Sequence, residues 1–262
     1  MKPIFIYIFF LFSMGIFAQA KVDVTVEKKI PLKANTFIGI DKYNALYYLK
    51  NKTLFKQTLT ESFQFNDFQL GNIGSVDILN PLAITIFYPN YNIAVVLDNN
   101  LNEIKRISFA MEPPFLNVVS ATTANDSRLW IFNADNQQVE IYNYRNNSKQ
   151  ELSRPIPENF ITQKSNFNFC FLITEEKVRL YNIYGSLLQS IPNENYSVFS
   201  ESNNRLIVKK ENFLILFSEE LKESQILNIP EIAIKDLFLR DEILYIYDGE
   251  FIHHLKLTNL KK

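Results

Sequence analysis

VDVTVEKKIPL, residues 22–32, and FIHHLKL, residues 251–257, decide the fold. Each is a short run in which β-branched or aliphatic residues alternate with polar ones, the pattern of a half-buried strand. The first stands alone ahead of everything that follows. The second ends the last of a series of hairpins. Whether they pair sets the closure of the molecule, and the sequence between them frames that question.

That sequence repeats. ALYYLKNKTLFKQTL from Ala45, LAITIFYPNYNIAVVLD from Leu82 and RLWIFNADNQQVEIYNY from Arg128 superimpose on one another. So do NFCFLITEEKVRLYNI from Asn168, RLIVKKENFLILFS from Arg205 and ILYIYDGEFIHHLKL from Ile243. Each reads as apolar strand, polar turn, apolar strand: a β-hairpin. Upstream of each lies another apolar run (TFIGI, SVDIL, NVVSA, FITQK, YSVFS, IAIKDLFL). Downstream of most lies a more polar one, such as EIKRISF or LLQSIP. The unit is therefore four strands, the last the most solvated, and helical periodicity is nearly absent.

A proline marks the passage from one unit to the next, at Pro31, Pro113, Pro155, Pro192 and Pro230, with Gly71 and Gly74 at the remaining place. The interval is roughly 37 to 42 residues, the period of a propeller blade. Proline donates no hydrogen bond and holds an extended, turning backbone, which suits the end of an edge strand. After Pro230 only three strands remain, and before the first proline step there is one strand too many. The surplus matches the deficit. The prediction is an all-β, six-bladed β-propeller in which the N-terminal strand is the outer strand of the last blade, leaving no open edge.

The first residues, MKPIFIYIFFLFSMGIFAQA, carry Lys2, an apolar run from Ile4 to Phe17, and Ala18-Gln19-Ala20. That is a signal peptide over 1–20, with cleavage before Lys21 and a single propeller domain over 21–262. The apolar run of about 14 residues falls short of the roughly 20 that span a bilayer, so no transmembrane segment is expected after cleavage. No cysteine follows the cleavage site, which argues against a lipoprotein anchor. With 27 basic and 28 acidic residues the chain has no electrostatic footprint for nucleic acid. Cys170 is the only cysteine, so no intramolecular disulfide forms and stability rests on the core.

The strand–turn–strand segments, VRLYNIYGSLLQSIP among them, resemble the blades of six-bladed propellers of the NHL and TolB-like types. The composition, rich in Asn, Ile, Lys and Phe with only six glycines, resembles that encoded by AT-rich genomes such as those of flavobacteria, and an exported propeller of this size is similar to those common in Bacteroidota envelopes, some found beside outer-membrane machinery. The Gly-His and Trp-Asp pair of WD40 blades, the double glycine of kelch and the Asp-box are all missing. The resemblance implies an exported protein of the periplasm or outer membrane, and a protein-binding role.

Few residues offer chemistry. His253 and His254 are neighbours on a strand and point to opposite faces, so they do not share a metal. One ring is expected packed and one exposed. Cys170, in FNFCFLIT, reads as a buried inert thiol and Trp130 as inter-blade core. Asp41, Asp77 and Asp236 lie near the innermost strands, where some propeller hydrolases hold calcium, yet no loop has the D-x-D-x-D spacing of a calcium loop. No phosphate loop and no G-x-S-x-G elbow occurs. No cofactor, metal or catalytic residue is expected.

Exposed aromatics at turns are the stronger signal. FYPNYN places Tyr88 and Tyr91 at a hairpin tip, and SFAMEPPFLN places Met111, Pro113, Pro114 and Phe115 in a crossover. Aromatics and methionine enrich interfaces, and in propellers such tips and crossovers share one face. Tyr88, Tyr91, Met111, Pro114 and Phe115 are therefore the expected partner-binding residues. Phe63, Phe65 and Phe68 either join them or fold back as the first blade's fourth strand. The leading expectation is a non-enzymatic scaffold for an envelope protein, in an assembly or secretion complex. The alternative is a channel-centred sugar- or peptide-binding sensor, or a calcium-dependent hydrolase.

Overall fold

A computed structural model describes residues 21–111 and 113–260. The signal sequence expected over 1–20 lies outside the described residues. The chain begins with β1 (Asp23–Pro31) and continues into blade 1, β2 (Thr36–Ile40), β3 (Leu46–Lys50), β4 (Thr53–Gln57) and β5 (Ser62–Phe65). Blade 2 holds β6 (Ser75–Asp77), β7 (Ile84–Tyr88), β8 (Ile93–Leu97) and β9 (Glu103–Ser108). Blade 3 holds β10 (Val118–Thr123), β11 (Arg128–Asn133), β12 (Gln138–Asn143) and β13 (Ser148–Glu151). Blade 4 is β14 (Phe160–Ser165), β15 (Phe169–Thr174), β16 (Lys177–Asn182) and β17 (Leu187–Pro192). Blade 5 is β18 (Ser197–Ser202), β19 (Arg205–Lys210), β20 (Phe213–Phe217) and β21 (Ser224–Leu227). Blade 6 supplies β22 (Asp236–Arg240), β23 (Ile243–Tyr247) and β24 (Phe251–Thr258) from the C-terminal end.

Its fourth strand is β1. Antiparallel pairing sets Val24 opposite Leu257, Val26 opposite Leu255, Ile30 opposite Ile252 and Pro31 opposite Phe251, so the sheet runs β1-β24-β23-β22. The ring closes as the strand count predicted. All five proline steps and the Gly71/Gly74 step fall where one blade's fourth strand gives way to the next blade's first.

The core lies between blades. Each adjacent pair encloses an apolar cluster built from alternate residues of the middle strands. Tyr47, Leu54, Ile84, Ile86 and Val95 fill the space between blades 1 and 2. Leu32, Phe37, Ile40, Tyr245, Tyr247 and Ile252 fill the closing interface between blades 6 and 1. There Phe37 meets Tyr245 and Tyr247 at centroid distances of 6.5 and 6.2 Å. The middle strands are buried on both sides, whereas β5, β13 and β17 are largely solvated. That gradient is why the fourth runs read as polar in the sequence.

Polar contacts connect every pair of neighbouring blades. Lys56 Nζ donates to Asn99 O at 2.6 Å, Thr123 N to Asp77 Oδ2 at 2.7 Å and Gln163 Nε2 to Trp130 O at 2.9 Å. Asn166 Nδ2 donates to Glu201 Oε1 at 2.8 Å, Leu239 N to Ser200 Oγ at 2.8 Å and Phe37 N to Asp236 Oδ2 at 2.9 Å. Four first strands (β2, β10, β14 and β18) also carry a bulge near their start. A bulge sharpens twist and re-aims the residues after it, here at the axial end of the blade.

Candidate functional site

The two faces of the ring present different chemistry. One collects the crossovers between blades and the turns joining second to third strands. On it, the tip of blade 2 is a 3-10 turn over Pro89–Tyr91 ending at Asn92, which takes the left-handed conformation at φ 55°, one that asparagine tolerates well. Asn92 then ties the tip to the following crossover. Its Nδ2 donates to Leu116 O at 2.6 Å, its Oδ1 accepts from Val118 N at 3.1 Å, and its carbonyl accepts from Phe109 N at 3.1 Å. On the other flank Gly74 lies so near Pro89 that a Cβ there would stand 2.6 Å from the proline ring.

The crossover before blade 2 is pinned as well. Asp67 Oδ1 caps the short turn Phe68–Leu70 by accepting from Gln69 N at 3.0 Å, while its Oδ2 pairs with Arg106 at 2.8 Å. Two crossovers and one tip thus form a braced edge. It carries Phe68 at 67% exposure, Tyr91 at 54%, Met111 at 78% and Phe115 at 68%.

Of the residues expected there, Tyr91, Met111 and Phe115 are exposed and Pro114 is half-buried. Tyr88 is not: it is fully buried at the end of β7, packed among the apolar residues between blades 1 and 2. The expectation of an exposed Tyr88 is corrected. Strand β7 is buried on both faces, with Tyr88 on the side of blade 1 and Phe87 on the side of blade 3, and the tip proper starts one residue later, at Pro89. Burial pushes its phenol up to about 12. Phe63 and Phe65 do fold back as part of β5 and pack on the same cluster, whereas Phe68 lies beyond the strand and stays outside.

The remaining candidates are structural. Asp41 Oδ1 accepts from Tyr43 N and Ala45 N, and its Oδ2 from the Tyr47 hydroxyl, all at 2.9 Å. Asp77 and Asp236 accept backbone N–H groups of the next blade, as given above. The three are not gathered at one point, and among the described residues no group of three His, Cys, Asp or Glu is placed to hold a metal. Both histidines are buried, against the expectation of one exposed ring. His253 Nε2 lies 2.6 Å from Asp248 Oδ2, and His254 Nδ1 lies 2.9 Å from Glu27 Oε2 of β1. Strand β1 covers them, which a blade of three strands would not. Cys170 is buried between blades 3 and 4, where burial raises its thiol, and Trp130 shares that cluster.

The other face opens into an axial cavity of about 650 Å3, reached between the turns that join first to second strands. Lys164, Asp77 and Glu201 line it, with Thr122, Ser200 and Phe238. Burial lowers the Lys164 ammonium from its ordinary value, against the pull of Asp77 and Asp236. Burial raises Asp77 despite its two N–H donors. It also carries Glu201 to about 7, although Asn166 Nδ2 and Asn204 N both donate to its Oε1. Sequence reading passed over Lys164 and Glu201. The available signal was a charged residue inside a first strand, FITQKS and SVFSES, where a wholly packed strand would carry none.

No family model and no curated protein matches the chain. Solved structures do. The WD40 repeats of RRP9 align with a TM-score of 0.63 at 9% identity, over 90% of this chain and 100% of that one. Virginiamycin B lyase of Staphylococcus aureus aligns at 0.58 with 12% identity, over 83% and 78%. The extracellular domain of a protein described as a hybrid two component system of B. thetaiotaomicron aligns at 0.55 with 14% identity, over 88% of this chain and 35% of that one. At such identities the likeness carries the propeller architecture and nothing about activity.

Proposed function

We propose that this propeller is an exported, non-enzymatic scaffold of the bacterial cell envelope that holds a protein partner on its crossover face. The observation that carries the reading is the braced edge of blade 2. Four large apolar side chains from three separate segments stand in solvent there, although the backbone beneath them is fixed by hydrogen bonds and an ion pair. Ordered apolar surface is what a partner buries at low entropic cost, and aromatics and methionine are what interface centres hold. No helix among the described residues is long and apolar enough to cross a membrane, in keeping with an exported protein held to the envelope through its partner.

The test is affinity purification from native envelopes with the chain and with a Tyr91→Ala/Phe115→Ala variant. The variant is expected to keep its melting temperature and lose its co-purifying partner. Equal recovery from both removes this edge from consideration.

A further inference from the structure

Lys164 is the observation that the scaffold role does not use. It lines the axial cavity, and although its backbone lies in the β14–β15 ladder, no described residue gives its ammonium a hydrogen bond or an ion pair. Asp77 and Glu201 line the same space, and neither comes within ion-pairing distance of the ammonium. One residue from Lys164 along β14, Gln163 spends Nε2 on Thr122 and on Trp130 O and leaves Oε1 unbonded, although the residue is only 2% exposed. A cation and carboxylates thus share one cavity without neutralising each other by contact. Burial of charge is costly unless it is paired or hydrogen-bonded.

What completes such a cavity is set by its charges. A bare anion attracted to Lys164 meets Asp77 and Glu201, and a bare cation attracted to those carboxylates meets Lys164. A hydroxyl satisfies both, accepting from Nζ and donating to a carboxylate oxygen with the same atom. Thr122 and Ser200 add hydroxyls to the wall, and Phe238 with Ile38 and Val76 adds an apolar stretch against which the C–H face of a ring can lie. A space of about 650 Å3 is of small-ligand size.

We infer that the axial cavity is a binding site for a neutral polyhydroxyl ligand, a mono- or disaccharide, held between Lys164 and the carboxylates of Asp77 and Glu201. The site opens on the face opposite the crossover edge, so it does not depend on the partner-docking reading. The Tyr91→Ala/Phe115→Ala variant is expected to retain it.

Calorimetric titration of the purified protein with maltose, cellobiose and N,N′-diacetylchitobiose tests this, with glycylglycine and inorganic phosphate as charged comparison probes. Saturable binding of at least one saccharide is expected, weakened at least about tenfold by Lys164→Met, since a charge-assisted hydrogen bond is lost. Should Lys164→Met fail to fold, the wild-type protein labelled at lysine Cε provides a second readout. The Lys164 resonance, assigned with Lys164→Arg, should shift with the same saccharide. No saccharide binding, saccharide binding indifferent to Lys164, or preferential binding of the dipeptide or phosphate would each overturn the inference.

Discussion

Tyr88 and Tyr91 stand three residues apart around one turn and face opposite fates. Tyr88 is fully enclosed and Tyr91 more than half exposed. Tyr88→Ala should cost about 3–5 kcal/mol, as expected for emptying an aromatic site in a core. Tyr91→Ala should change stability by no more than about 0.5 kcal/mol. Urea unfolding of the two variants checks the pair, and equal losses would contradict the assignment of inside and outside. Glu201 makes a second prediction, on pH. Its folded pKa of about 7 lies above its ordinary 4.5. Its contribution to stability is therefore complete below 4.5 and is lost as pH rises through about 7. His254, lowered by burial, works in the opposite sense, losing stability as pH falls below its ordinary 6.5. Relative to wild type, Glu201→Gln should gain stability from acid to neutral pH, measured as the difference between their unfolding curves.

The crossover into blade 2 shows what a single element requires. GNIG replaces the proline step found elsewhere because this passage runs against the tip of its own blade, where Gly74 N donates to Phe87 O at 2.9 Å and its Cα faces the Pro89 ring. Gly74→Ala puts a methyl group into that ring and should cost about 1–3 kcal/mol. It should also loosen the braced edge, seen as faster amide exchange at Asn92 and Val118. An unchanged protein would mean that the contact can yield. The recurrent fourth strands make the complementary point. Their polar spacing was legible because solvent reaches their outer side, whereas the first strands, pressed round the axis, marked the cavity only by a single charged residue, as in FITQKS and SVFSES.

The ring as a whole is held by six interfaces, and β1 completes only one blade. Even so, Val22 just before it is part of the cluster between blades 5 and 6 and its own Val24 packs against that cluster, and its removal uncovers β24 along its length. A chain lacking residues 21–31 should associate with itself through that bared edge and elute from size exclusion as concentration-dependent oligomers. A synthetic peptide of residues 21–33 should restore the monomer. Monomeric behaviour of the truncated chain without the peptide would show that the ring does not need its N-terminal strand.

Local pattern determined the strands, the turns, the period and the count, because each depends on alternation and on residues such as proline that act within a few positions of themselves. It also determined closure, since the surplus strand at the N-terminal end matches the one missing from the last blade. Three-dimensional packing decided the rest. Tyr88 turned inward, His253 and His254 were both covered by a strand more than two hundred residues away, and Asp41, Asp77 and Asp236 were spent on backbone N–H groups. Lys164 feels the charge of Asp77 across an axis that exists only when six blades surround it. Burial and charge coupling between distant strands are properties of the closed ring, and no window along the chain contains them.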